Sequence, residues 1–267
     1  MELELPPSLS ERRRSLLLDA ASRLDTTFGS GLHGFVLSGS AGRGCDNDHS
    51  DLDLLIILDP EIVNGPDAPW SHTPELEQLP ITLDHLEAIA DFTDGDWGYR
   101  WSYAWAPVLA DRTGGRIARA IDRQTHLTTD ETMGILVRHQ GLDGWLNLAY
   151  RALKSARDGN TFEASLDASE SIPMLLDVIF ALNGLVRPYN KYLRWALDHH
   201  PLTDWPADEL LALITGIRRG DRAALLDGVE RVRRAAARFD EANHQETLIE
   251  VFKSWPSDRY PVLELPY

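Results

Sequence analysis

Two hydrophobic patterns divide the chain near residues 118–128. Before that point, short apolar runs between polar loops predict strands over residues 33–38, 51–59 and 79–83. From about residue 125 the pattern is helical. Its periodic segments cover 132–157, 162–184, 188–199, 206–217 and 221–243. We therefore predict an α+β fold, with a mixed-sheet domain over residues 1–124 followed by an antiparallel helical bundle over 125–267.

Three further features refine this prediction. A first helix is expected over residues 11–28, capped by Ser8 or Ser10 and packed under the first strand. Aromatic residues alternate at a strand period between Trp97 and Trp105, which fits either core packing or stacking on a base or sugar-like substrate. Pro173 lies inside the 162–184 pattern and predicts a kink or break there.

A glycine-rich turn and a pair of acids mark the first domain. Gly39-Ser40-Ala41-Gly42-Arg43-Gly44 follows the first strand, and Ser50-Asp51-Leu52-Asp53 begins the second. Side chains two apart on a strand project from the same face, so Asp51 and Asp53 lie about 6.5–7 Å apart at Cα. Two such carboxylates can share a pair of divalent cations. The pattern therefore predicts a site for a metal-bound polyphosphate.

The glycine turn and the pair of acids can each be explained by structure alone, without a bound ligand. The glycines can make a tight turn, and acids such as Asp51 can cap a solvated loop. Asp53 fits this explanation less well, because it precedes the apolar run Leu54–Leu58, where an unpaired carboxylate is costly to bury.

The motif resembles the signature of the nucleotidyltransferase superfamily that includes DNA polymerase beta. Gly39-Ser40 is followed, after ten residues, by Asp51-x-Asp53, and the motif spans only a short part of the chain. Within the superfamily the chain looks most like bacterial two-domain nucleotidyltransferases of the aminoglycoside type. The resemblance implies that Gly39 and Ser40 hold a nucleoside triphosphate and that Asp51 and Asp53 bind Mg²⁺, with two ions expected. It also implies a third carboxylate on a later strand.

The identity of the third carboxylate stays open at this level. Asp84 follows the predicted strand Ile81-Thr82-Leu83, close to the place where the family has this group, but Asp84 with Glu87 also reads as an ordinary helix start. Glu77, or Glu75, precedes the strand and is the alternative. The absence of any third carboxylate is a further alternative, and it would imply nucleotide binding with slow transfer.

Cations and polar groups complete the expected nucleotide site. Lys191, in the segment Arg187-Pro188-Tyr189-Asn190-Lys191, resembles a lysine that approaches the triphosphate in related two-domain enzymes. Arg187 and the loop residues Arg43 and Ser50 are further candidates for nucleotide binding. For each cation the alternative is an ordinary solvated side chain.

Composition narrows the classes of function. The formal net charge of −16 disfavours a general nucleic-acid binder, and it fits either a cationic ligand or a simply solvated acidic surface. The single cysteine, Cys45, excludes an internal disulfide framework. No apolar run reaches transmembrane length and no signal-peptide core follows Arg12-Arg13-Arg14, so we expect a cytoplasmic protein without a membrane partner.

These observations predict an enzyme that transfers a nucleoside monophosphate from an NTP, with ATP expected, to a hydroxyl of a small molecule. The family likeness and the acidic charge suggest an aminoglycoside as acceptor. Two alternatives stay open. One is transfer to a protein hydroxyl, as in antitoxin-type relatives, and the other is a nucleotide-binding regulator with little catalysis.

Overall fold

A mixed sheet of five strands forms the frame of the first half of the chain, in a computed structural model that describes residues 2–255. The strands are β1 (Leu32–Leu37), β2 (Leu52–Leu58), β3 (Ser71–His72), β4 (Leu76–Ile81) and β5 (Val108–Asp111). Their order is β3-β4-β2-β1-β5. β2 and β4 run parallel, and the other neighbouring pairs run antiparallel. The predicted mixed sheet and α+β class are confirmed.

Helices cover both faces of this sheet. They are α1 (Glu11–Phe28), α2 (Gly39–Gly42), α3 (Pro60–Val63), α4 (Leu83–Ala88), α5 (Arg100–Tyr103) and α6 (Arg116–Thr125). The N-cap of α1 is Ser10, whose side chain accepts a hydrogen bond from the Arg13 N–H. α1 packs on the β2 face that carries Leu52, Leu54 and Ile56. α4 and α6 pack on the opposite face, where they form a second core with Leu55 and Ile57 of β2. Asp53 precedes Leu55 by two residues, so its side chain projects from this same face.

The aromatic segment corrects the expectation of a strand period. Residues Trp97–Tyr99 form a 3-10 turn and Arg100–Tyr103 form α5. The chain turns here because the Asp96 N–H donates to the Asp94 carboxylate at 2.8 Å, and the Tyr99 N–H donates to the Asp96 carbonyl at 2.8 Å. Trp101 is buried, while Tyr99 is exposed.

The second half of the chain is helical throughout its described elements. They are α7 (Thr129–Met133), a π-helical turn (Gly134–Arg138), α8 (Gly141–Arg157), α9 (Thr161–Leu182), a 3-10 turn (Asn190–Tyr192), α10 (Leu193–His199), α11 (Ala207–Arg218), α12 (Arg222–Ala242) and α13 (Thr247–Lys253). α9 continues through Pro173 without ending. Residues such as Trp145, Ile179 and Val229 form the core of this half.

The chain divides into two compact units between His126 and Leu127, close to the boundary expected from the sequence. The cores of the sheet and the core of the helices are separate sets of residues. Among residues 2–255, no helix combines the length and apolar character that crossing a bilayer requires.

Candidate functional site

The turn after β1 passes directly over Asp53. The Ser38 N–H donates to the Asp53 carbonyl at 2.8 Å, which extends the antiparallel pairing of β1 with β2. Gly39 then has φ of +62°, and a Cβ at this position would lie 1.7 Å from Asp53 Oδ2. A glycine is therefore needed for the turn to approach the carboxylate so closely. The Gly39-Ser40 backbone and the Asp53 carboxylate form one surface.

Ser40 is held at the centre of this turn. The residue is only 2% exposed, and its carbonyl accepts from the Arg43 N–H at 3.2 Å and the Cys45 N–H at 3.1 Å. Gly42 packs against β1, where an added Cβ would lie 2.0 Å from the Leu37 carbonyl oxygen. The turn is thus folded tightly onto the sheet, and nucleotide binding by Gly39 and Ser40 stays a prediction.

Arg13 of α1 anchors the loop that leads into β2. Its guanidinium forms an ion pair with Asp46 and donates to the carbonyls of Asn47 at 2.9 Å and Ser50 at 2.6 Å. Ser50 closes the loop, because its hydroxyl accepts from the Asn47 N–H at 3.1 Å. Ser50 therefore has a structural role immediately before Asp51. The sequence shows Arg13 only as part of a basic run, so its role was not predicted.

Arg43 supports the turn from inside the protein, and its assignment to nucleotide binding stays a prediction. Its Nη1 donates to the Gly39 carbonyl at 2.8 Å. Its Nη2 donates to the carbonyls of Trp101, Ser102 and Ala104 at 3.1, 3.1 and 2.6 Å. The guanidinium also lies 4.2 Å from the centre of the Trp101 ring, and the side chain is buried. These partners engage both terminal nitrogens of the guanidinium.

A group of metal-ligating side chains gathers beside Asp53. Asp51, His72 and Glu77 each offer a ligand atom, and these atoms lie within 4.8 Å of one another. The pairing of the strands explains the group, since Glu77 on β4 is in register with Asp53 on β2 and with His72 on β3. Residues directly opposite on neighbouring strands share a face. Asp53, Glu77 and His72 therefore lie side by side across the sheet.

The group places Glu77, and not Asp84, near the predicted metal ligands. Asp84 belongs to α4, beyond the far end of β4. Ile81 alone is about 13 Å along the strand from Glu77 at ~3.3 Å per residue. The Asp84 side chain is 85% exposed and pairs with Arg116 at 3.4 Å. Thr82 caps α4 by accepting from the His85 N–H at 3.0 Å. This geometry favours Glu77 over Asp84 as the third carboxylate, and the assignment itself stays a prediction.

A cleft continues along the same face of the sheet. Leu55 follows Asp53 on β2 and Leu79 follows Glu77 on β4, each two residues further along, so both share the face of the carboxylates. The cleft is lined in addition by Trp70, Tyr103, His85 and Asp96. Trp70 is 60% exposed, and the His85 Nε2 lies 3.2 Å from Asp96 Oδ2. The cleft therefore lies further along the face of the sheet that carries Asp53 and Glu77, and its lining is aromatic and partly apolar.

The predicted cations of the helical unit have local partners. Arg187 pairs with Asp177 at 3.2 Å and donates to Asn190 Oδ1 at 2.9 Å. Burial raises the pKa of the Asp177 carboxyl, and the charge of Arg187 opposes that rise. Lys191 lies in the Asn190–Tyr192 turn, with its Nζ 5.0 Å from the centre of the Tyr192 ring. Nucleotide binding by Lys191 and Arg187 stays a prediction.

Comparisons with known proteins show a structural similarity to a solved protein. No family model matches the chain, and no curated protein matches it. The chain is similar to the crystal structure of a nucleotidyltransferase-like protein from Exiguobacterium sibiricum 255-15, with a TM-score of 0.42 and 12% sequence identity. The alignment covers 93% of this chain and 87% of that one. A similarity at this level says nothing about chemistry, so the candidate site depends on the residues of this chain alone.

Proposed function

We propose that this chain is a nucleotidyltransferase that moves a nucleoside monophosphate from an NTP, with ATP as the expected donor, to a hydroxyl of a small molecule. The observation that carries the proposal is the contact of Gly39 with Asp53, next to the group of Asp51, His72 and Glu77. A polyphosphate on that turn would lie against the carboxylates, as the reaction requires.

The residues fit a divalent cation. The two carboxylates of this group lie close enough to repel each other, and a cation bound between them would remove that repulsion. Asp51, Asp53 and Glu77 supply the oxygen ligands that Mg²⁺ takes in phosphate sites. Bound there, Mg²⁺ would neutralise phosphate oxygens and stabilise the charge that develops on the leaving group.

The chain's own groups account for the rest of the reaction. The backbone around Gly39 and the Ser40 hydroxyl bind the terminal phosphates. The acceptor oxygen forms a bond to the α-phosphorus, the bond from that phosphorus to the bridging oxygen breaks, and pyrophosphate leaves with the electron pair. The hydroxyl proton goes to Glu77, which replaces Asp84 as the candidate base.

The cleft beside β4 suits the acceptor. It is lined from Leu79 onward on the strand that carries Glu77, and it includes Trp70, Tyr103 and Asp96. Aromatic rings pack against sugar rings, and a carboxylate attracts an ammonium group. An aminated sugar such as an aminoglycoside therefore fits the cleft, in keeping with the net charge of −16.

A transfer assay tests the proposal. The full-length protein is incubated with Mg²⁺ and ATP labelled at the α-phosphate, together with a panel of hydroxylated small molecules that includes aminoglycosides. We expect label in a small molecule and release of pyrophosphate. Asp53→Asn, which removes one charge at the centre of the site, is expected to abolish the transfer without unfolding the protein.

Other outcomes of the same assay identify the alternatives. Label on the protein itself, or on an added protein, would indicate AMP transfer to a protein hydroxyl. ATP binding that raises the melting temperature, without transfer to any acceptor, would indicate a nucleotide-binding regulator. Either result would contradict the proposed small-molecule transfer.

A further inference from the structure

His72 distinguishes this site from one built of carboxylates alone. Its Nδ1 lies 3.8 Å from Glu77 Oε1, and both atoms belong to the group that also contains Asp51. The side chain is 70% exposed, so it packs into no core that would explain its position. The sequence signature contains no histidine, and the strand that carries His72 has only two residues.

The hairpin around His72 is fixed on both sides. Gln78 Nε2 donates to Ser71 Oγ at 2.6 Å. Thr73 Oγ1 accepts from the Leu76 N–H at 3.0 Å, and the Thr73 N–H donates to the Leu76 carbonyl at 3.0 Å. These bonds hold the backbone of His72 directly opposite Glu77 in the β3–β4 register. The fold therefore places the two side chains on the same face of the sheet, within reach of each other.

The spacing suits coordination of one ion. Nitrogen and oxygen ligands lie at about 2.0–2.2 Å from a first-row metal, so donors on opposite sides of the ion are about 4 Å apart. The ligand atoms of Asp51, His72 and Glu77 lie within 4.8 Å of one another, which small side-chain rotations convert into coordination distances.

The type of ligand then selects the ion. Mg²⁺ prefers oxygen ligands, whereas imidazole suits later first-row metals, and Mn²⁺ accepts both oxygen and nitrogen. We propose that His72, with Asp51 and Glu77, forms a mixed nitrogen–oxygen site that binds Mn²⁺ or a similar transition ion in preference to Mg²⁺. This inference deepens the proposed function by naming the ion, but it requires only that the site binds metal.

The test uses the full-length protein and Mn²⁺ as the probe. Pulsed EPR of the Mn²⁺-loaded protein is expected to show electron–nuclear coupling to an imidazole ¹⁴N. His72→Gln replaces nitrogen by a neutral oxygen donor and is expected to abolish this coupling. We also expect it to lower the Mn²⁺ affinity by about 10-fold or more while the Mg²⁺ affinity changes little, since even outer-sphere partners affect metal affinity by about 10–100-fold.

A control variant and the wild-type protein distinguish the possible results of this test. His199→Ala, in the helical unit, is the control and is expected to preserve both the coupling and the affinity. Wild-type protein that binds no Mn²⁺, or binds it without ¹⁴N coupling, would overturn the inference, as would unchanged coupling in His72→Gln. Coupling in a protein that transfers no nucleotide would contradict the proposed function and leave this inference standing.

Discussion

At the scale of single residues, the approach of Gly39 to Asp53 is the tightest constraint in the site. Gly39→Ala places a Cβ 1.7 Å from Asp53 Oδ2 in a backbone with φ of +62°. The left-handed conformation costs roughly 1–2 kcal/mol for a residue with a Cβ, and the clash displaces the carboxylate in addition. We expect loss of stability together with loss of metal–nucleotide binding, measured by chemical unfolding and calorimetric titration.

Gly114 offers a matched control for that variant. It has φ of +67°, and an added Cβ there would meet nothing within 4 Å. Gly114→Ala therefore carries the same backbone cost without a clash, so it is expected to lose about 1–2 kcal/mol of stability and to bind metal and nucleotide normally. Equal binding defects in the two variants would show that the contact with Asp53 has no functional role.

Glu77 and Asp84 can be separated by one pair of variants. Glu77→Gln removes a charge from the group with Asp51 and His72, whereas Asp84→Asn removes one from an exposed helical position. We expect Glu77→Gln to reduce turnover by about 10²–10⁴-fold, the range for loss of a general base. Asp84→Asn is expected to keep wild-type turnover. The reverse result would identify Asp84, and not Glu77, as the third carboxylate.

At the scale of elements, the sequence predicts those helices and strands whose signals lie in neighbouring residues. The helix from Glu11 to Phe28 and the apolar strand after Asp53 follow from periodicity and capping alone. The position of Glu77 opposite Asp53 depends on the parallel register of β2 with β4, which no local pattern encodes. His72 was missed for the same reason, because a two-residue strand has no period to detect.

Side chains that hold backbone segments together were also not predictable. A buried arginine in a glycine loop and a phosphate-binding arginine look alike in a sequence, and they differ only in what surrounds them. Arg43 is surrounded by carbonyls of the segment Trp101–Ala104, which is distant along the chain. The structural role of Arg43 therefore depends on how that distant segment folds, and the sequence around Arg43 does not encode it.

Arg43→Lys tests this structural role. A lysine has three donors on one atom and does not reproduce the fork that reaches Gly39 on one side and Trp101–Ala104 on the other. Hydrogen bonds to charged groups contribute about 1.5–3 kcal/mol each, so we expect the free energy of unfolding to fall by about 2–3 kcal/mol. Urea denaturation measures this change.

An exposed arginine provides the comparison. Arg116 pairs with Asp84 and Glu87 at the surface, where solvent screens ion pairs and they contribute little to stability. Arg116→Lys is therefore expected to leave stability almost unchanged. If Arg43→Lys had native stability but weaker nucleotide binding, the original assignment of Arg43 to the nucleotide would be correct.

At the scale of the whole molecule, the proposed metal, phosphate and acceptor groups belong to the first unit, and the predicted cations Arg187 and Lys191 belong to the second. The turn, the acids, His72 and the cleft proposed for the acceptor lie between Ser38 and Tyr103, and the unit ends at His126. The helical unit has its own core. Its predicted contribution is a cation, Lys191, which suits a polyphosphate in a chain of net charge −16.

Cutting the chain after His126 separates these contributions. Arg100 is fully buried and donates to the carbonyls of Arg123, Gln124 and His126 at 2.7, 3.1 and 2.5 Å, which ties the end of α6 to the unit. We therefore expect residues 1–126 to fold cooperatively and to bind Mn²⁺ as the full chain does, measured by circular dichroism and EPR titration. Any loss of ATP affinity relative to the full chain then measures what the helical unit supplies.

A shorter fragment makes the role of Arg100 explicit. Ending the chain after Asp122 removes the three carbonyls at the end of α6 and leaves a buried guanidinium short of acceptors. Breaking a buried charged interaction costs about 3–5 kcal/mol, a large part of the stability of a domain of this size. We expect this fragment to be unfolded. If residues 1–126 were unfolded as well, the sheet would require the helices, and the site could not be assigned to the first unit alone.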